Sequence, residues 1–169
     1  DIQQQTTVNI QETANLIWAI ADKLVGVYKP HEYGNVILPM CVIKRFEDTL
    51  APTKEKVLAT NEKLDKDGIV VKKGFLESAA EQKFYNLSPF DFQKLLNDPE
   101  NIKVNFESYL NHFSDNVIDI IHRMDFDREI EKMADNGVLY LVIKEFCTPK
   151  AYLGADQITS VDMGYIFEE

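Results

Sequence analysis

The chain has 169 residues, 45% hydrophobic and 11% aromatic, and a formal net charge of −10. That apolar content supports a packed core of about one domain and excludes global disorder. Its apolar runs, such as residues 36–40 and 138–143, fall far short of the roughly 20 residues that cross a bilayer, and no basic-then-apolar leader opens the chain, so a soluble, cytoplasmic protein is expected. The acidic balance argues against a self-sufficient DNA-binding domain, because neutralising phosphates takes a basic face. It leaves room for an acidic domain that meets DNA through a local cluster of cations, or within a complex. The two cysteines, Cys41 and Cys147, read as buried free thiols.

Residues 1–9 are polar without periodicity and are expected to fray. Leu16, Ile17, Ile20 and Leu24 recur on one helical face and predict a first helix over 10–25, stopped by Gly26, with Trp18 off the stripe. A turn over 28–34 leads into a second helix reaching about Leu50, with Val36, Ile37, Met40, Ile43 and Phe46 in register. Pro39 either sits in its first turn or kinks it. Residues 55–64 predict another turn or two of helix. Between Asp67-Gly68 and Lys73-Gly74, Ile69-Val70-Val71 reads as a small β-hairpin or a mobile loop. Ser88-Pro89 predicts a capped helix that ends near Leu96. The strongest amphipathic pattern, from Phe106 through Phe113 and Val117 to Ile121, predicts one long helix. A helix over 127–136 should end at Gly137; the stretch 138–146 is ambiguous, being apolar and β-branched, though Leu139, Val142, Ile143 and Phe146 still fit a buried helix face. A loop through Gly154 should then lead to an ending, 161–169, that reads as a helix stopped in mid-course. The expected fold is mainly α, a bundle of about six helices with one irregular loop or small hairpin excursion near residues 65–87.

Several chemistries lack their residues. No two of the seven glycines are separated by a single residue, so no GxG turn for a nucleotide or for S-adenosylmethionine can form. There is no Gly-Lys-Ser/Thr loop, no G-x-S-x-G elbow, no C-x-x-C and no H-E-x-x-H. No catalytic, cofactor-binding or metal residue is assigned. His112 and His122, with Asp115 and Asp119 nearby, read as a solvated face opposite the apolar stripe, and acidic pairs such as Glu47-Asp48 as surface charge. The connection Lys29-Pro30-His31-Glu32-Tyr33 differs, with Lys23 before it and Lys44-Arg45 after it. Its cations suit phosphate or a partner surface; as plain structure it is a tight turn with Tyr28 and Tyr33 packed as staples.

The ordered set Leu16-Ile17-Trp18-Ala19-Ile20-Ala21-Asp22-Lys23-Leu24, Tyr28-Lys29-Pro30-His31-Glu32-Tyr33, Val36-Ile37-Leu38-Pro39-Met40 and Lys44-Arg45-Phe46 resembles the N-terminal helical domain of type I restriction-modification modification subunits. The likeness continues through Phe84-Tyr85-Asn86, Leu95-Leu96-Asn97-Asp98-Pro99, Asn111-His112-Phe113-Ser114-Asp115-Asn116-Val117 and Met163-Gly164-Tyr165-Ile166-Phe167-Glu168-Glu169. After the stretch 1–9, the resemblance implies a helical domain 10–169 that stops before a Rossmann-like catalytic domain. It implies a parent enzyme that moves a methyl group from S-adenosylmethionine to adenine N6 in double-stranded DNA, on an adenine turned out of the duplex. It implies assembly with a specificity subunit, a second modification subunit and a restriction subunit. The family's Asn-Pro-Pro-aromatic motif is absent, since none of the six prolines adjoins another. The fragment alone is therefore expected to be inactive and to hold no cofactor. Lys29, His31, Tyr33, Lys44 and Arg45 are expected near the DNA or the specificity subunit. Two other readings are a free-standing helical adaptor that binds only protein, and an enzyme using His112, Asp115 and His122.

Overall fold

The computed structural model describes the backbone of residues 2–148 and 151, and side chains from Gln11 onward. Nine α-helices follow one another among these residues: α1 (Ile2–Leu24), α2 (Gly34–Leu50), α3 (Lys54–Lys66), α4 (Lys73–Ala80), α5 (Phe92–Leu95), α6 (Ile102–Asn111), α7 (Asp115–Arg123), α8 (Asp127–Asp135) and α9 (Leu139–Glu145). Single 3₁₀ turns at Pro30–Glu32, Ala51–Thr53 and Pro99–Asn101 join some of them, each with a proline in its opening positions. No strand forms among the described residues; two isolated bridges are the only extended pairing there. The mainly α expectation holds, with more and shorter helices than six.

The start of α1 at Ile2 lies well before the predicted start at residue 10 and runs through the stretch expected to fray. At its other end Gly26 adopts φ +87°, and the Tyr28 N–H donates back to the Leu24 carbonyl at 2.9 Å, as the glycine stop predicts. Pro39 lies inside α2 as its sixth residue, past the first turn, so α2 lacks one of its internal N–H donors. The excursion near 65–87 contains no hairpin. α3 continues to Lys66, and Lys73-Gly74 open α4 rather than a second turn. Lys72 ties the link back to α3 through Asp65 and Asn61. Leu64, Leu76, Ala79 and Ala80 are buried, whereas Val70 and Val71 in the link are 88% and 81% exposed.

The single long helix predicted across 106–121 is broken into α6 and α7. Strand-like pairing of the intervening residues with the segment before α5 breaks it. The Leu87 N–H donates to the His112 carbonyl (2.9 Å), the Ser114 N–H to the Tyr85 carbonyl (2.8 Å), and the Tyr85 N–H to Ser114 Oγ (3.1 Å). These crossing bonds engage backbone groups that a continuous helix would bond within itself. The helix predicted to open at Ser88-Pro89 opens later. Asp91 is the cap of α5, its carboxylate accepting the Lys94 N–H at 2.8 Å, while Ser88 Oγ closes a local turn by accepting the Phe90 N–H.

The core is one continuous cluster. The short helix α9 lies at its centre and packs on α1, α5, α6 and α8 through Leu139, Val142 and Ile143. Phe92 of α5 meets the rings of Phe106, Tyr109 and Phe146 edge-on at 6.0–6.1 Å, the geometry that ring quadrupoles favour. The helix ending at Gly137 closes as predicted. Gly137 has φ +71°, and its N–H and that of Val138 return to the carbonyls of Ala134 and Met133. The predicted loop through Gly154 and the ending 161–169 lie outside the described residues.

Candidate functional site: a cationic turn beside α8

Residues 28–33 build the first candidate. Pro30 opens a 3₁₀ turn, and Glu32 Oε1 accepts the Lys29 N–H at 2.9 Å, which fixes the turn from inside. Tyr28 is 5% exposed and Tyr33 is half-buried against the core, so the packed-tyrosine reading of this turn is correct for both. Lys29, Pro30 and His31 remain exposed. Tyr28 reaches α8, a hundred residues on. Its hydroxyl donates to the Glu129 carbonyl oxygen at 3.4 Å, and Lys132 Nζ stands 4.2 Å from the centroid of its ring. Burial, with Glu129 and Glu32 nearby, raises the Tyr28 hydroxyl far above its ordinary pKa and keeps it a donor. The Glu32 carboxyl is held below its ordinary range, first by the Lys29 N–H and then by the charges of Lys132, His31 and Lys29. The arrangement places ammonium and imidazole donors around one carboxylate.

The other sequence-predicted residues lie elsewhere in character. Lys44 is 6% exposed, and its ammonium bonds both Asp48 oxygens at 2.5 and 2.6 Å, so its charge is taken up inside the protein. Arg45 is half-buried. Lys23 lies 3.8 Å from Glu145 of α9. His112 is exposed and within 2.6 Å of the Ser108 carbonyl. His122 borders a cavity of about 270 Å³ with Glu107, Asn111 and Asp127. His112 lies in the break between α6 and α7 and His122 within α7, instead of both on one helix. Among the described residues no three His, Cys, Asp or Glu side chains gather as a metal site.

Of Glu47 and Asp48, read from the sequence as surface charge, Asp48 is buried and Glu47 is half-buried with its carboxylate turned onto interior donors. Glu47 accepts the Phe92 N–H at 2.8 Å at the start of α5 and shares a hydrogen bond with the Tyr109 hydroxyl. Burial pushes the Glu47 carboxyl up to about 7, against the opposing pull of Lys44 and these two donors. Burial and the neighbouring Glu47 raise Tyr109 well above its usual value. Lys54 donates to Asn86 Oδ1 (3.1 Å) and the Phe90 carbonyl (3.2 Å), and Asn86 Nδ2 to the Tyr109 carbonyl (3.0 Å). These groups line a cleft of about 390 Å³. Every buried side-chain polar atom among the described residues has a partner, so the network closes on itself. It joins α2, α3, α5 and α6 and reads as structural. The sequence held its signal: Val36, Met40, Ile43, Glu47 and Leu50 form one helical row, and Ile37, Cys41, Lys44 and Asp48 the adjoining one. Lys132 had no such signal, because only folding brings α8 to the turn.

Three of the ordered sequence motifs meet in space. The Phe46 ring packs edge-on against Phe84 at 5.0 Å and Phe113 at 6.2 Å, and Asn86 bridges to Phe113. The motifs are therefore largely packing residues of one helical domain. These features define the class: a domain that is all-helical among the described residues and whose polar interior is structural. The model of the family described as HsdM N-terminal domain matches residues 13–146, and the chain belongs to that family. It is thus an N-terminal domain of a type I restriction-modification modification subunit. No curated protein and no solved structure matches the chain. No helix of the described residues is long and apolar enough to cross a membrane.

Proposed function

We propose that this domain is a non-catalytic part of a type I DNA adenine methyltransferase, helping to enclose double-stranded DNA and to assemble the modification subunit with its specificity subunit. The parent reaction is methyl transfer from S-adenosylmethionine to adenine N6, with the cofactor bound outside these residues. A second modification subunit and a restriction subunit complete the partners, in the cytoplasm. The observation that carries this reading is the family match over residues 13–146. The absence of a GxG turn and of adjacent prolines from the 169 residues agrees with it.

The test removes residues 1–169 from the intact modification subunit and assembles it with the specificity subunit. The shortened subunit is expected to retain S-adenosylmethionine binding while the assembly loses duplex affinity and methylation. Undiminished duplex affinity and methylation in the shortened assembly would end the reading.

A further inference from the structure

We propose that Lys132 of α8 completes, with Lys29 and His31 of the turn, one cationic face that takes the phosphate backbone of double-stranded DNA. The inference rests on the DNA-enclosing reading above and adds to it a residue and a ligand chemistry. Its geometry is set by Tyr28. The buried tyrosine anchors α8 to the turn through the Glu129 carbonyl and holds the Lys132 ammonium 4.2 Å from its ring centroid, next in sequence to Lys29. A ring face attracts the charge without consuming the ammonium's N–H donors in directed bonds, so those donors stay available.

Lys29, His31 and Lys132 form no ion pair among the described residues, a property shared by exposed lysines elsewhere such as Lys56 and Lys73; what sets them apart is their place around one buried tyrosine. The Glu32 carboxylate within the group already accepts the Lys29 N–H, and Lys132, His31 and Lys29 all lie around it. Aromatic anchors mark the centre of protein–protein interfaces, and here both tyrosines of the turn are packed inward. What the turn presents outward is charge and donors, the equipment of a phosphate contact.

The experiment measures binding of the assembled enzyme to a duplex containing its target, across a series of salt concentrations. Lys132→Gln and Lys29→Gln are each expected to lower the slope of log affinity against log salt by about 0.9, and to weaken target and non-target duplexes alike. Lys132→Arg, which keeps the charge over the ring, should keep the slope, separating lost charge from lost folding. Lys56→Gln, at an exposed position on α3, should leave the slope unchanged. If the slope is intact in Lys132→Gln and Lys29→Gln while the assembly lacking residues 1–169 has lost it, this face is overturned and the DNA-enclosing reading stands. If that shortened assembly keeps the full slope, the reading itself fails. Loss of specificity-subunit capture by Lys132→Gln with an unchanged slope would assign the face to protein and overturn the proposal.

Discussion

Lys44 and Glu47 stand one helical turn apart in sequence and show how burial redirects a charged side chain. Lys44 serves Asp48, and Glu47 serves the N–H of Phe92 and the hydroxyl of Tyr109. Such groups are costly to bury and persist because each has its partners. Glu47 carries a consequence for pH. Its carboxyl is raised from 4.5 to about 7 in the folded chain, chiefly by burial. Between those values the native state holds more protons than the unfolded state, so this group's contribution to stability declines as pH rises from about 4.5 to about 7 and is level above it. Glu47→Gln, which stays neutral, should remove the decline. Urea unfolding at pH 5 and pH 8 is expected to show the variant gaining on the parent by ~1–3 kcal/mol at the higher pH, within the ~1.4 kcal/mol per pH unit that one proton allows. Equal pH dependence in the two proteins would mean that Glu47 is ionised throughout.

At the scale of elements, helix ends decided more than helix interiors. α4 ends on Glu81 at φ 58°, ψ 29°, with the N–H groups of Glu81 and Gln82 returning to the carbonyls of Ser78 and Glu77. This closing loop ordinarily uses glycine, because a side chain at positive φ is strained. Gly137 occupies the matching place after α8 and was legible for that reason. Glu81 was not, since nothing in a glutamate announces a left-handed turn. Glu81→Gly should stabilise the chain by ~0.5–1 kcal/mol, about 1–4 °C in Tm, and Glu81→Val should lower Tm. A lower Tm for the glycine variant would show that the exposed Glu81 side chain contributes more than its strain costs. The break between α6 and α7 was hidden for a related reason. The stripe from Phe106 to Ile121 continues through it, because Phe113 is buried whichever way the backbone runs. Periodicity reports which side chains face the core and is silent on where backbone hydrogen bonds go.

For the whole molecule, a net charge of −10 leaves exposed cations at many places on the surface, Lys29 of the turn among them. Five of the cations are held by carboxylates, and the turn beside α8 retains donors. The sequence holds no GxG turn of the kind that lets backbone approach a nucleoside cofactor. The isolated chain is therefore expected to show no heat of binding with S-adenosylmethionine in titration calorimetry. A micromolar site would place cofactor chemistry within these residues and contradict the proposed division of labour.

The sequence by itself determined the helical class, most helix positions, the stops at Gly26 and Gly137 and the family. All of these follow from local periodicity, cap chemistry and the order of short motifs. The tertiary structure alone decided which charges are buried, where the 106–121 helix breaks, and that Lys132 stands over Tyr28. Each of these depends on contacts between residues far apart in the chain. The free energy of a buried charge or an interrupted helix is set by the partner that arrives on folding, and residue type alone does not name that partner.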